Sequence, residues 1–221
     1  GMDFELPDHV RQVADPVRRF VREELLPLER MVIRREAERG LADTPILPPD
    51  VSAALDEKAR ALGLWGIDVP AEYGGQDLGA LVKCVVTEEL KYSIVPFVLR
   101  PDSPNLHYLQ QCARGPQIER YLLPYAAGTK RSCLALTEAG AGSDAGAITM
   151  RAVQRGDQWV LNGSKVFISN AKSSDFIITM AVAETEGGER LGISAFLVDA
   201  DTVGLTIPSS YPTIGDYHPY E

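Results

Sequence analysis

Between Val17 and Val32 the apolar positions Val17, Phe20, Val21, Leu25, Leu28 and Val32 recur at three- and four-residue steps. That spacing lines one face of an α-helix and predicts a long one here. Asp15-Pro16 is a suitable start, because Asp accepts from the first free amides and proline fits the first helical position. Pro27 then predicts a kink, since it removes a backbone donor mid-helix. A second helix is expected over Pro49–Leu62, with Val51, Ala54, Leu55, Ala59 and Leu62 inward and Gly63 closing it. A third spans Leu78–Tyr92 on Val82, Val85, Val86 and Leu90, and shorter ones cover Asn105–Ala113 and Gln117–Ala127.

After Gly128 the period changes. Ser132–Thr137, Ile148–Gln154, Gln158–Leu161, Lys165–Ser169, Phe176–Ala183, Ile193–Val198 and Val203–Ile207 are short, rich in Val, Ile, Phe and Thr, and separated by turn-forming residues. Gly156-Asp157 and Asn162-Gly163 tolerate positive φ and predict tight hairpin turns. The expectation is an α+β chain: an all-helical N-terminal domain over residues 1–130, then an antiparallel β-barrel or sandwich over 131–221. The last residues, Gly215 to Glu221, neither close a strand pattern nor cap a helix, which predicts that the β domain is truncated.

Composition narrows the function. In 221 residues, 45% are apolar and 24% charged, with a formal net charge of −9, which excludes disorder and collagen-like repetition. The acidic balance disfavours nucleic-acid backbones and anionic membranes. There is no apolar run of membrane-spanning length, and the start GMDFELPDHV lacks a signal peptide's basic and apolar regions. A soluble, cytoplasmic protein is expected. Cys84, Cys112 and Cys133 are isolated and read as small buried hydrophobes, with no metal site among them. His9, His107 and His218 are too scattered to form one. Glu88-Glu89 and the basic stretch Arg34-Arg35 to Arg39 read as solvated helix faces, and Arg155-Gly156-Asp157 as a hairpin turn.

Two segments carry candidate chemistry. In Leu134–Gly146, a strand runs into a loop with Gly140, Gly142 and Gly146, which lets backbone amides approach a ligand, while Ser143 adds a hydroxyl. The spacing is neither GxGxxG nor a P-loop, and on spacing alone the segment reads as a plain surface loop. In Leu161–Asn170, Phe167 offers an aromatic wall and Ser169 a hydroxyl two residues on, on the same face of an expected strand. Alone, this reads as a core strand rather than a ligand site.

Taken together, Ala135-Leu-Thr-Glu-x-x-Ala-Gly-Ser-Asp-x-x-Ala147 followed by Asn162-Gly-Ser-Lys-Val-Phe-Ile-Ser-Asn170 resembles the acyl-CoA dehydrogenase family. Upstream, Gly63-Leu-Trp-Gly-Ile-Asp-Val-Pro-Ala-Glu-Tyr-Gly-Gly75 and Glu88-Glu-Leu90 are similar to that family's helical domain in order and spacing. The resemblance implies a flavoenzyme with a helical N-terminal domain, a central β domain and a C-terminal four-helix domain, the last expected to be absent here. It implies FAD as cofactor and places Leu134, Ala135, Leu136, Thr137, Gly142, Ser143, Phe167, Ile168 and Ser169 at it. Leu134, Leu136 and Thr137 would lie along the ring's pyrimidine edge, Gly142 and Ser143 at the pyrophosphate, Phe167 in place of a common tryptophan, and Ser169 in place of a threonine bonding N5. Ser143 would also touch the acyl-CoA arm. Leu134 departs from the family, where an aromatic residue is frequent.

The implied reaction is removal of the α proton of an acyl-CoA thioester with transfer of the β hydride to flavin N5. The general-base glutamate is expected in the four-helix domain, so no catalytic residue is assigned within this chain, which alone is expected to be inactive. Glu138 is set aside as a substitute because it belongs to the flavin motif. Electron-transfer flavoprotein is the implied acceptor, and a homo-oligomer the implied assembly. Alternatives are an acyl-CoA oxidase or flavin monooxygenase of the same fold, or a non-catalytic ligand-binding or interaction module.

Overall fold

The structure is a computed structural model that describes residues 5–40, 42, 44–101, 105–208 and 210. The chain divides into two compact units, residues 1–129 and 130–221, each described by itself.

The first unit is helical: α1 (Asp8–Phe20), α2 (Glu29–Arg39), α3 (Pro49–Ala61), α4 (Gly79–Leu90), α5 (Asn105–Cys112) and α6 (Leu123–Ala126). Helix α1 begins seven residues before the expected start, and Pro16 sits inside it. Val10, Ala14, Val17 and Phe20 form one fully buried stripe, so the apolar face extends through the proline. Burying Val10 contributes roughly 2 kcal/mol and offsets much of the ~3 kcal/mol that an interior proline costs.

Pro27 does distort the chain, as expected. A π turn at Val21–Leu25 and a 3-10 turn at Leu26–Leu28 separate α1 from α2. The same pairing recurs where the π turn Ile118–Leu122 precedes Pro124 in α6. In a regular helix each proline ring would meet the carbonyl four residues back, and the widened turn relieves that clash. Helix α3 ends before Gly63, whose φ of 71° continues the turn out of the helix.

Two charged stretches are not the solvated faces expected. Glu89, on α4, is buried where α1 and α4 pack, and Arg18 holds it: Nε donates to Oε2 at 3.1 Å and Nη2 to Oε1. Arg35 Nε donates to the Ile46 carbonyl at 2.6 Å and Arg39 Nη1 to that of Thr44 at 3.2 Å, so these side chains hold the segment after α2. Of the three cysteines only Cys133 is buried; Cys84 and Cys112 are exposed, against expectation.

The second unit holds β1 (Ser132–Ala135), β2 (Arg151–Arg155), β3 (Gln158–Asn162), β4 (Phe176–Glu184) and β5 (Arg190–Asp199) in one sheet. Strand β4 is the spine. Strand β5 runs antiparallel along one edge, Phe176 facing Asp199. The other edge is shared by β1, paired over Phe176–Thr179, and β2, paired over Val182–Glu184. Both of these pairings are parallel, so the sheet is mixed rather than antiparallel. Parallel neighbours require a long crossover between them, and short strands in succession do not reveal which of them pair. Enclosure of β4 leaves all but Met180 of its nine residues buried, hence a largely apolar run broken only by Thr179 before Glu184 ends it.

Gly156-Asp157 turns β2 into β3 as expected, with Arg155 facing Gln158 and Gly156 at φ 62°. Two expected strands do not form: Lys165–Ser169 is irregular apart from a lone bridge at Ser169, and Val203–Ile207 is irregular. The apolar residues of the second still serve the core, where Leu205 and Ile207 pack on Cys133, Ala135, Ile168, Ala171 and Ile177. The expectation for Gly215–Glu221 lies outside the described residues.

Candidate functional site

Where β1 ends, three chain segments converge on one carboxylate. Glu138 is buried, and its Oε2 accepts from the Thr149 amide at 2.7 Å and hydroxyl at 2.8 Å. Its Oε1 accepts from the Met150 amide at 3.0 Å and the Lys165 ammonium at 2.7 Å. Lys165 also donates to the Leu136 carbonyl at 2.9 Å, and the Val166 amide to the Thr137 carbonyl at 3.0 Å. Burial pushes the Glu138 carboxyl up, but bonding from Lys165, from the Thr149 and Met150 amides and from the Thr149 hydroxyl outweighs it and lowers the pKa to about 2. Four donors favour the charged form more than a lost water shell disfavours it.

From this anchor the glycine-bearing loop departs. Glu138 and Ala141 exchange two backbone hydrogen bonds of 3.0 Å each, folding Ala139-Gly140 into a tight turn. Gly142 and Ser143 follow, exposed, and Asp144 then caps a 3-10 turn at Ala145–Ala147 by accepting from the Gly146 amide at 3.1 Å. At Gly140 and Gly142 φ is outside the left-handed region, and a Cβ would meet nothing within 4 Å. Among the described residues nothing therefore requires glycine at either position. Gly163 contrasts with them: at φ 151° its Cβ would stand 2.6 Å from Met150 Cγ. A bare backbone facing open space suits a ligand that approaches the amides closely.

The second segment lies directly beside β1. The Val166 amide reaches the carbonyl of Thr137, and Ile168 is buried among Cys133 and Ala135. Between them Phe167 adopts φ 58° and is 58% exposed. An aromatic residue in the left-handed region is an outlier, worth on the order of 1–3 kcal/mol of strain, and such outliers cluster at functional sites. Phe167 and Ser169 both face solvent while Ile168 faces the core, so the expected alternation persists without the expected strand.

The two predicted segments are thus brought together. Leu134, Leu136 and Thr137 are half-buried, and Gly142, Ser143, Phe167 and Ser169 are exposed. Among the described residues the hydroxyls of Thr137, Ser143 and Ser169 make no hydrogen bond to protein. Ala135 and Ile168 differ from the rest, because their side chains fill the core and leave only their backbone to face a ligand. Sequence reasoning missed the joint role of Glu138, Thr149 and Lys165. The signal was a lone acid and a lone base, each inside an apolar motif.

Residues 7–129 match the model of the acyl-CoA dehydrogenase N-terminal domain and residues 133–217 that of the acyl-CoA dehydrogenase middle domain. The chain is 38% identical over 220 residues to (R)-benzylsuccinyl-CoA dehydrogenase of Thauera aromatica, covering 97% of this chain and 54% of that protein. It is 33% identical over 214 residues to the human mitochondrial short-chain specific acyl-CoA dehydrogenase, covering 96% and 48%. Among solved structures it is similar to acyl-CoA dehydrogenase of Geobacillus kaustophilus, at TM-score 0.76 and 25% identity over 99% of this chain and 56% of that one. It is also similar to PigA in its FAD complex, at TM-score 0.73 and 25% identity, covering 99% and 55%. The chain spans about half the length of the curated relatives it matches. With a helical unit and a β unit each matching its own family model in family order, this chain belongs to the acyl-CoA dehydrogenase family, of which it carries the N-terminal and middle domains.

Proposed function

We propose that this chain forms the N-terminal and middle part of an FAD-dependent enzyme that introduces an α,β double bond into an acyl-CoA thioester. The observation that carries this reading is the pairing of the β1 end with residues 165–169, beside two glycines whose missing side chains no packing explains. Bound FAD would supply a hydride acceptor. Thr137 offers an amide and a hydroxyl to the ring edge, next to the backbone of Leu134, Ala135 and Leu136. Gly142 and Ser143 offer backbone approach and a hydroxyl to the pyrophosphate, with Ser143 also toward the acyl-CoA arm. Phe167 provides an aromatic face, Ile168 a buried footing for it, and Ser169 a hydroxyl for the ring's N5.

These residues orient and do not abstract the proton. Glu138 is unsuited as the base, because a carboxylate engaged by four donors and held at about 2 has little drive to take a proton from carbon. The base is therefore assigned outside this chain's described residues, together with electron-transfer flavoprotein as electron acceptor and a homo-oligomeric assembly.

The test is to express the protein from its complete gene and add acyl-CoA thioesters without oxygen. Bleaching of the flavin's visible absorbance with formation of the 2-enoyl-CoA is expected. Peroxide or a hydroxylated product in air would move the reading to an oxidase or monooxygenase, and acyl-CoA binding with no bleaching to a ligand-binding module.

A further inference from the structure

Resting on that flavin reading, we propose that the buried Glu138–Lys165 pair is a positioning device. By tying the end of β1 to residues 149–150 and 165–166, it holds Thr137, Phe167 and Ser169 as one preorganised face for the flavin ring.

Thr137 is one residue from the pair and Phe167 two. Thr137 precedes Glu138, and Lys165 precedes Val166, whose amide is spent on the Thr137 carbonyl. Phe167 is the strained element, and a strained φ persists only where its surroundings over-determine it. Here they do: Val166 is hydrogen-bonded on one side, Ile168 is packed in the core on the other, and Lys165 is fixed by two acceptors at 2.7 and 2.9 Å. An apolar pair of equal volume would stabilise the unit comparably, since a buried ion pair gains little once desolvation is counted. What it would lack is direction. Four donors allow the carboxylate one orientation, which fixes the relative placement of three segments far apart in sequence. Glu138 and Lys165 touch no ring atom in this account; they act through their neighbours.

The test uses the protein expressed from its complete gene, freed of bound flavin, titrated with FAD and followed by flavin fluorescence and amide hydrogen exchange. Lys165→Met removes the cation. Thr149→Val removes only one hydroxyl donor and leaves the rest of the clamp, so it answers the question even if the first variant does not fold. In the native protein, saturable binding with slowed amide exchange is expected around Thr137, Gly142, Ser143, Phe167 and Ser169. Lys165→Met should raise the FAD Kd about tenfold and Thr149→Val about threefold, within the range of losing one ordinary hydrogen bond. Exchange should quicken at Val166, Ile168 and Ser169 while the β2–β3 hairpin keeps its protection. Equal Kd in the native chain and both variants would overturn the positioning role alone. So would loosening spread evenly over the hairpin, since that marks a merely structural pair. Absence of FAD binding by the native protein from the complete gene would instead overturn the flavin reading itself.

Discussion

Acid should unlock the β unit at Glu138, and the size of the effect follows from its surroundings. The carboxyl is held at about 2 rather than its ordinary 4.5, because four donors favour the charged form more than burial disfavours it. A folded-state value below the unfolded one contributes stability that is present above the unfolded pKa and is lost as pH falls through the folded one. The contribution is thus complete at neutral pH, begins to fade below 4.5, and is exhausted near about 2. Its size is about 3 kcal/mol, a large share of the 5–15 kcal/mol typical of a domain. Glu138→Gln keeps the shape, removes the charge and turns an amide NH2 toward Lys165 and backbone donors, so it should cost about 3–5 kcal/mol at pH 7. Trp65 and Trp159 are the two tryptophans, one in each unit. In a Trp65→Phe background, the fluorescence of Trp159, whose ring packs tilted against Phe196 with centroids 5.3 Å apart, reports urea unfolding of the β unit alone. The gap between native and Glu138→Gln should narrow steadily as the pH is lowered below 4.5. A gap unchanged between pH 7 and pH 3 would refute the assignment of a charged, donor-saturated carboxylate.

Three further outcomes are expected. Val10→Ala should destabilise the helical unit by about 2 kcal/mol in thermal unfolding, because Val10 is fully buried ahead of Pro16; no change would mean the helix begins at the proline after all. Gly163→Ala places a Cβ 2.6 Å from Met150 Cγ at a φ that side chains rarely adopt and should lower the melting temperature clearly, whereas Gly142→Ala should leave it unchanged and weaken only FAD binding. In the enzyme from the complete gene, Ser169→Ala should slow flavin reduction in stopped-flow more than it weakens acyl-CoA binding, and equal losses would remove Ser169 from the N5 position.

Much of this architecture was legible in the chain before any coordinates. The 3.6-residue stripe of α1, the inward face of α4 and the Gly156 turn appear where local pattern places them, because periodicity, capping and φ preference act over a few residues. The ends of elements were less legible. Pro16 reads as a helix start by its local chemistry, yet burial of Val10 and Ala14 carries the helix past it. Lys165–Ser169 alternates like a strand, but it is not one of the five strands of the sheet; its alternation reflects a core on one side and solvent on the other. Glu89 and Arg35 read as surface charges because their partners, Arg18 and the Ile46 carbonyl, are brought to them by folding.

The amino-acid order alone carried the division into helices and strands, the glycine-bearing loop and the two motifs that identify the family, all properties of neighbours along the chain. Folding decided the rest: the parallel pairing of β4 with β1 and β2, the strained exposure of Phe167, and the meeting of Glu138, Thr149 and Lys165 around one buried charge. Pairing and burial bring together residues that local preference cannot relate, so the anchor of the candidate site has no signature within any single stretch of the chain.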